Sequence, residues 1–182
     1  MKRNLKALSL IVLVMALAMA LGGCRERTDR SEGSVILAVA DHSILPSSVS
    51  LSDGPFVIDR VTLRNIPKQP NTTTSSLQSV ELRSYEVRYI RKDAGTRVPP
   101  PSVQGYFGVI RPNIDEDYFN VPYLFADQVL SQPLRDLRDF GVDRETGTTV
   151  IVLEVSIRFF GRTLSGDDVA TEPARFTIDV TQ

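Results

Sequence analysis

Val150-Ile151-Val152-Leu153-Glu154-Val155-Ser156-Ile157-Arg158-Phe159 decides the fold. Ile151, Leu153, Val155, Ile157 and Phe159 recur every second residue, with Glu154, Ser156 and Arg158 between them. A strand turns successive side chains to opposite faces, so this stretch predicts a strand with one apolar and one wetted face. The same period appears on either side of it. Phe176, Ile178 and Val180 alternate with Arg175, Thr177 and Asp179, after turn signals at Gly161 and Ser165-Gly166-Asp167. Upstream, Val80 and Leu82 share one face, whereas Tyr85, Val87 and Tyr89 continue in the opposite phase. A one-residue phase change inside a strand is what a β-bulge produces. Phe56–Leu63 alternates Val57, Val61 and Leu63 against Arg60, after Gly54-Pro55, and Val35–Val39 is a continuous apolar run that predicts a strand buried on both faces.

Helical signals are few. Ser131 is placed to cap a two-turn helix through Leu134, Leu137 and Phe140, with Gly141 just beyond its end. Several strands, turns between them and one short helix predict an all-β fold, an immunoglobulin- or fibronectin-III-like antiparallel sandwich of about seven strands over residues 34–182. No internal repeat interrupts that reading. The Cys–Trp–Cys hallmark of antibody domains is excluded, because the chain has one Cys and no Trp.

The rest of the composition narrows function mainly by exclusion. The 182 residues carry 21 Lys and Arg against 22 Asp and Glu, which gives no basic footprint for nucleic acid. One Cys and one His preclude a disulfide framework and a Cys/His zinc cluster within one chain. The first 23 residues stand apart: they hold all three Met, three cations and no carboxylate. Residues 1–6 are charged, 7–21 are apolar apart from Ser9, and Leu21-Gly22-Gly23-Cys24 follows. A basic head, a short apolar run and small residues describe a secretory leader, and the run is too short to span a bilayer comfortably.

Leu21-Gly22-Gly23-Cys24 resembles the lipobox of bacterial lipoproteins: an aliphatic residue at −3, small residues at −2 and −1, and Cys at +1. The resemblance covers about 24 residues and implies cleavage before Cys24, a diacylglyceryl thioether on its sulfur and acylation of the freed amine with a fatty acid such as palmitate. Its partner would then be membrane lipid through acylated Cys24. Arg25, where the enteric sorting rule puts Asp in proteins kept in the inner membrane, implies the outer membrane facing the periplasm in a diderm host. The expected organisation is a signal peptide over 1–23, a lipidated Cys and solvated tether over 24–33, and the domain beyond. Residues 25–33 have no apolar side chain and reach at most ~30 Å when extended.

Catalytic constellations are missing from the pattern. His42 is the sole imidazole, and no Gly-x-Ser-x-Gly elbow, P-loop or dinucleotide fingerprint occurs. Asn71-Thr72-Thr73 fits a glycosylation pattern by chance in a Ser/Thr loop. Asp115-Glu116-Asp117 and Asp167-Asp168 are acidic, but they lack the spacing of a calcium loop, so no metal, cofactor or catalytic residue is expected. The most unusual segment is 99–133. Pro99, Pro100, Pro101, Pro112, Pro122 and Pro133 are expected to keep it out of the regular ladder, as a loop. Yet Tyr106, Phe107, Tyr118, Phe119, Tyr123 and Phe125 supply six of the chain's 13 aromatic rings there. They are the candidate partner-binding residues, with plugging of one end of the core as the bland alternative. The function expected is a non-enzymatic envelope lipoprotein whose sandwich binds a protein or glycan partner or serves as an accessory subunit of an envelope complex. The alternative is an enzyme or metal-dependent binder assembled from scattered carboxylates.

Overall fold

The computed structural model describes residues 33–41, 45–69 and 73–182. The leader, Cys24, Arg25, His42 and Asn71 lie outside the described residues. The described chain is mostly β, with nine strands in two sheets. In chain order they are β1 (Val35–Asp41), β2 (Ser48–Ser50), β3 (Val57–Pro67), β4 (Val80–Arg91), β5 (Ser102–Ile110), β6 (Asp115–Pro122), β7 (Ile151–Thr163), β8 (Asp168–Ala170) and β9 (Ala174–Thr181). Seven of the nine have seven or more residues; β2 and β8 have three each. Two short helices, α1 (Ala126–Val129) and α2 (Leu134–Phe140), lie between β6 and β7.

The smaller sheet has the order β1-β3-β6 and is antiparallel throughout. The larger has the order β2-β9-β7-β4-β5, with β8 added beside the end of β7; its one parallel pair is β2 with β9. Both sheets turn an apolar face to one core. Leu37, Val61, Leu63 and Val121 from the smaller sheet meet Leu82, Tyr85, Leu153, Ile157 and Ile178 from the larger. The central strand β7 follows the alternation of its sequence: Ile151, Leu153, Val155, Ile157 and Phe159 are all buried, and the residues between them are half-buried.

The phase change in β4 is a register shift between Leu82 and Ser84, seen against both β5 and β7. Tyr85, Val87 and Tyr89 thereby return to the core face. Gly161 is not in a turn, contrary to expectation. It lies within β7 beside that shift, where a Cβ would come 2.8 Å from the Glu81 carbonyl oxygen, so the side chain is absent to let two strands approach. The turn that follows is built by Gly166, at φ 102°.

Three further expectations are corrected. The apolar run of β1 is not buried on both faces: Val35 and Leu37 turn to the core and are buried, whereas Ile36, pointing the other way, is exposed. Ser131 does not cap α2; its hydroxyl donates to the Gln128 carbonyl at 2.7 Å, and Pro133 precedes the helix without a side-chain cap. The helix does end at Gly141, at φ 72°, whose N–H returns to Leu137 O. Leu134 and Leu137 enter the core, but Phe140 stays exposed beneath the Arg144 guanidinium, 3.8 Å from its ring centre. Finally, residues 99–133 are not excluded from the ladder. Pro101 and Pro112 lie outside the ends of β5, and Pro122 is the last residue of β6, so prolines delimit two strands instead of preventing them.

Candidate partner-binding edge

β5 closes one side of the larger sheet and β6 the same side of the smaller one, with Arg111–Ile114 linking them. In a strand, neighbours point opposite ways, and that splits the six aromatic residues. Tyr106 from β5 and Tyr118 from β6 point inward and meet edge to face, ring centres 5.4 Å apart. Tyr106 also meets Tyr85 at 5.6 Å, and Tyr85 meets Phe159 at 5.6 Å. One line of rings therefore runs from β7 through β4 and β5 to β6 and ties the two sheets together. Tyr118 lies over Gly108, where any Cβ would come 2.6 Å from its hydroxyl. Burial pushes the Tyr118, Tyr85 and Tyr123 hydroxyls up to about 12, so these phenols stay neutral near pH 7.

Tyr123 and Phe125 also belong to the interior. Tyr123 is buried against Phe176, and Phe125 is half-buried against the core. Around them, the fully buried Gln128 closes a polar network. Its Oε1 accepts from the Phe125 N–H at 3.0 Å and from the Tyr89 hydroxyl at 2.7 Å, and its Nε2 donates to Pro100 O at 2.8 Å. A buried amide with three partners holds this loop against β4 and the approach to β5. Four of the six expected binding residues are thus core or core-packed rings.

The other two face solvent. Phe107 is 86% exposed and Phe119 61% exposed. On β5, Phe107 has exposed neighbours at the same period, Val103 and Val109, with Gly105 between them. Ser102-Val103-Gln104-Gly105-Tyr106-Phe107-Gly108-Val109-Ile110 contains no ionisable group apart from its neutral phenol. The outward row Val103, Gly105, Phe107, Val109 borders the side of β5 on which no described strand pairs. Sequence reasoning singled out Phe107 but missed Val103 and Val109. The signal was an uncharged window of strand length between prolines, diluted by Ser102, Gly105 and Gly108.

The acidic cluster on β6 is answered by arginines of the neighbouring strand. Nε and Nη2 of Arg64 engage both oxygens of Asp115, which holds that carboxyl below its usual range. Thr62 donates to Asp117 at 2.6 Å, and Arg111 reaches Glu116 at 3.3 Å. Asp167 and Asp168 belong to the β7–β8 turn, where the Asp167 N–H donates to Thr163 Oγ1 and Asp168 faces Arg162. Among the described residues no group of three His, Cys, Asp or Glu is placed to share a metal ion.

Carboxylates do converge at one place, on a cation. The Arg91 side chain, 3% exposed, meets Asp93, Asp143 at 2.6 Å and Glu145 at 3.7 Å. Burial by itself would raise the Asp93 and Asp143 carboxyls. Hydrogen bonds outweigh it and hold both below the usual range: from Arg91 and the Val152 and Gly95 amides to Asp93, and from Thr146, Arg91 and the Glu145 amide to Asp143. Arg91 also donates to Arg97 O, and Glu145 accepts from the amides of Thr96 and Arg97. This clamp fixes the segment that leads into β5. Elsewhere, a groove of about 480 Å³ on the outer face of the larger sheet is lined by Arg88, Arg158 and Arg175. Arg88 pairs with Glu86 at 2.8 Å and Arg158 donates to Thr171 O, so two of the three cations are already engaged within the chain.

No family model, curated protein or solved structure matches this chain.

Proposed function

We propose that this chain is a lipid-anchored, non-enzymatic protein of the bacterial envelope whose β-domain engages a protein partner along the edge strand β5. The observation that carries the reading is the row Val103, Phe107 and Val109, exposed side by side on an uncharged strand at the edge of a sheet. Natural edge strands are blunted with Lys, Pro, inward charges or extreme shortness, and a long edge without them is a template for another strand. Its apolar row favours a protein partner over a glycan, whose hydroxyls want donors and acceptors. The anchor rests on Leu21-Gly22-Gly23-Cys24, and an outer-membrane location on Arg25. Two or three acyl chains suffice for stable anchoring.

The domain itself is of immunoglobulin or fibronectin-III type in this reading. Its support is the strand order: β1-β3-β6 faces β9-β7-β4-β5, with crossings between sheets at β3–β4, β5–β6 and β6–β7 and, through the short β2, between β1 and β3. The non-enzymatic reading is supported by the Arg91 clamp, where Asp93, Asp143 and Glu145 converge on a guanidinium and are engaged in holding the fold.

A photo-crosslinking amino acid at Phe107 in the full chain, in intact cells, tests the edge. Discrete crosslinked species at Phe107, absent with the same probe at Thr177 on the far strand β9, are expected. Equal yields at both positions, or none at either, would sink the reading. Fatty-acid labelling tests the anchor: the native chain should take up label and Cys24→Ala should not.

A further inference from the structure

We infer that the occupant of the β5 edge is a second copy of this chain, paired antiparallel with the first across a two-fold axis at Tyr106. The inference rests on the edge reading above and names its partner.

Among the described strands five have an unpaired edge, and four of these are already guarded. β6 carries Asp115, Glu116 and Asp117 and adopts φ 53° at Asn120, which distorts any regular continuation. β1 packs beside β8 and ends at Asp41. β2 and β8 have three residues each. Among the described strands β5 is the long, uncharged edge with no strand paired on its outer side. The register shift against β4 leaves Tyr106 and Phe107 facing the single residue Arg83, yet buried or half-buried and exposed positions still alternate from Ser102 to Val109, so the outward face keeps its period of two through the bulge.

The sequence of β5 then selects the partner and the register. Pro101 precedes the strand and Pro112 follows it by two residues, so the pairing-competent window is the strand itself. One two-fold register pairs all nine residues with their counterparts, the one centred on Tyr106. It sets Val103 opposite Val109 of the second copy and Gly105 opposite Phe107 of the second copy. A Cβ built on Gly105 meets nothing within 4 Å, so the space above it is open. The ring of Phe107, two residues along the same outward face, fills that space in the other copy, and the fit is reciprocal. Aromatic side chains covering edge glycines across a strand pair are a known stabilising arrangement. No charge meets a like charge anywhere in the pairing, whereas the same operation on β6 would gather six carboxylates at one seam.

A single strand pair is a small interface, so confinement matters. Chains held on one membrane by a tether of at most ~30 Å meet at a raised effective concentration, which turns a weak pairing into a populated one.

Cysteine pairs in the full chain, expressed in membranes and treated with a mild oxidant, read the register. Directly opposite residues lie within disulfide range, whereas the two copies of residue 103 would lie roughly 20 Å apart along the strands. Co-expressed Val103→Cys and Val109→Cys chains should give at least about tenfold more disulfide dimer than either alone, with the bond mapped between positions 103 and 109. Adding Phe107→Asp to both should abolish the dimer while leaving the melting temperature unchanged. Equal dimer in single and mixed samples means random collision and overturns the inference. So does its absence; if Phe107 photo-crosslinks then fall on another protein, self-pairing fails while the edge reading survives, and with no photo-crosslink both fail.

Discussion

β5 and β6 are neighbours in sequence and in space, edges of two sheets on the same side of the molecule, and they are finished in opposite ways. Each sends a tyrosine inward to the same ring contact and a phenylalanine outward to solvent. The surroundings of the outward ring differ. Phe119 lies opposite Arg60 on a strand that begins with three carboxylates, all with cationic or hydroxyl partners. Phe107 stands between Val103 and Val109 on a strand without charge. Exposure of an aromatic ring alone is therefore a poor guide to a binding surface. A ring within an apolar row on an open ladder is a different object from a ring among salt bridges.

The comparison can be broken or sharpened experimentally. The largest effect is expected where β5 is held from behind. Arg91→Leu leaves Asp93, Asp143 and Glu145 without their shared cation and should cost about 3–5 kcal/mol in chemical denaturation, the scale of breaking a buried pair from one side. The acid limb should weaken with it. In the native chain the folded-state carboxyls of Asp93 and Asp143 lie below their unfolded values, so their contribution is present above about pH 4 and is lost as pH falls through the folded values. Without Arg91 one of the groups that lowers each carboxyl is gone, so less stability should be lost as pH falls. An unchanged acid limb in melting temperature would mean that the clamp does not carry it.

Next comes the ring shared by both edges. Tyr118→Ala should destabilise by about 2–4 kcal/mol, less than the range for fully buried aromatics because Tyr118 is half-buried. Phe119→Ala, one residue along, should stay within about 0.5 kcal/mol. Equal losses would erase the inward–outward distinction. Smaller again is Phe107→Asp, also expected within about 0.5 kcal/mol for the folded chain, while the disulfide dimer of the Val103→Cys and Val109→Cys chains disappears. Least of all, Asp115→Asn should leave the melting temperature unchanged at physiological salt, because its pair with Arg64 is exposed and screened.

Much of this architecture was legible along the chain. Each strand with strong alternation was found where the alternation lay, and the phase change after Leu82 located the β4 register shift to within two residues. Gly141 ended its helix because only a residue tolerant of positive φ serves there. The prolines of 99–133, taken as breakers of the whole segment, predict loop where β5 and β6 stand. They stand outside the ladder or at its last residue, and the gaps between them are of strand length. The Arg91 clamp was not legible, since Asp143 and Glu145 lie some fifty residues from Arg91 and nothing local couples them.

Local chemistry alone determined that this chain builds strands, where one of them slips, where its short helix stops, and that its first 24 residues carry a pattern similar to lipoprotein leaders, ending at Cys24. These features depend on side-chain period, backbone tolerance and a contiguous motif, all of which the linear order carries. Which of six aromatic rings are core, which carboxylates surround Arg91, and that β5 ends a sheet with no described strand beside it were decided only by the tertiary structure. Strand pairing joins residues far apart in the chain, and a strand becomes an edge only by what the rest of the chain leaves unpaired.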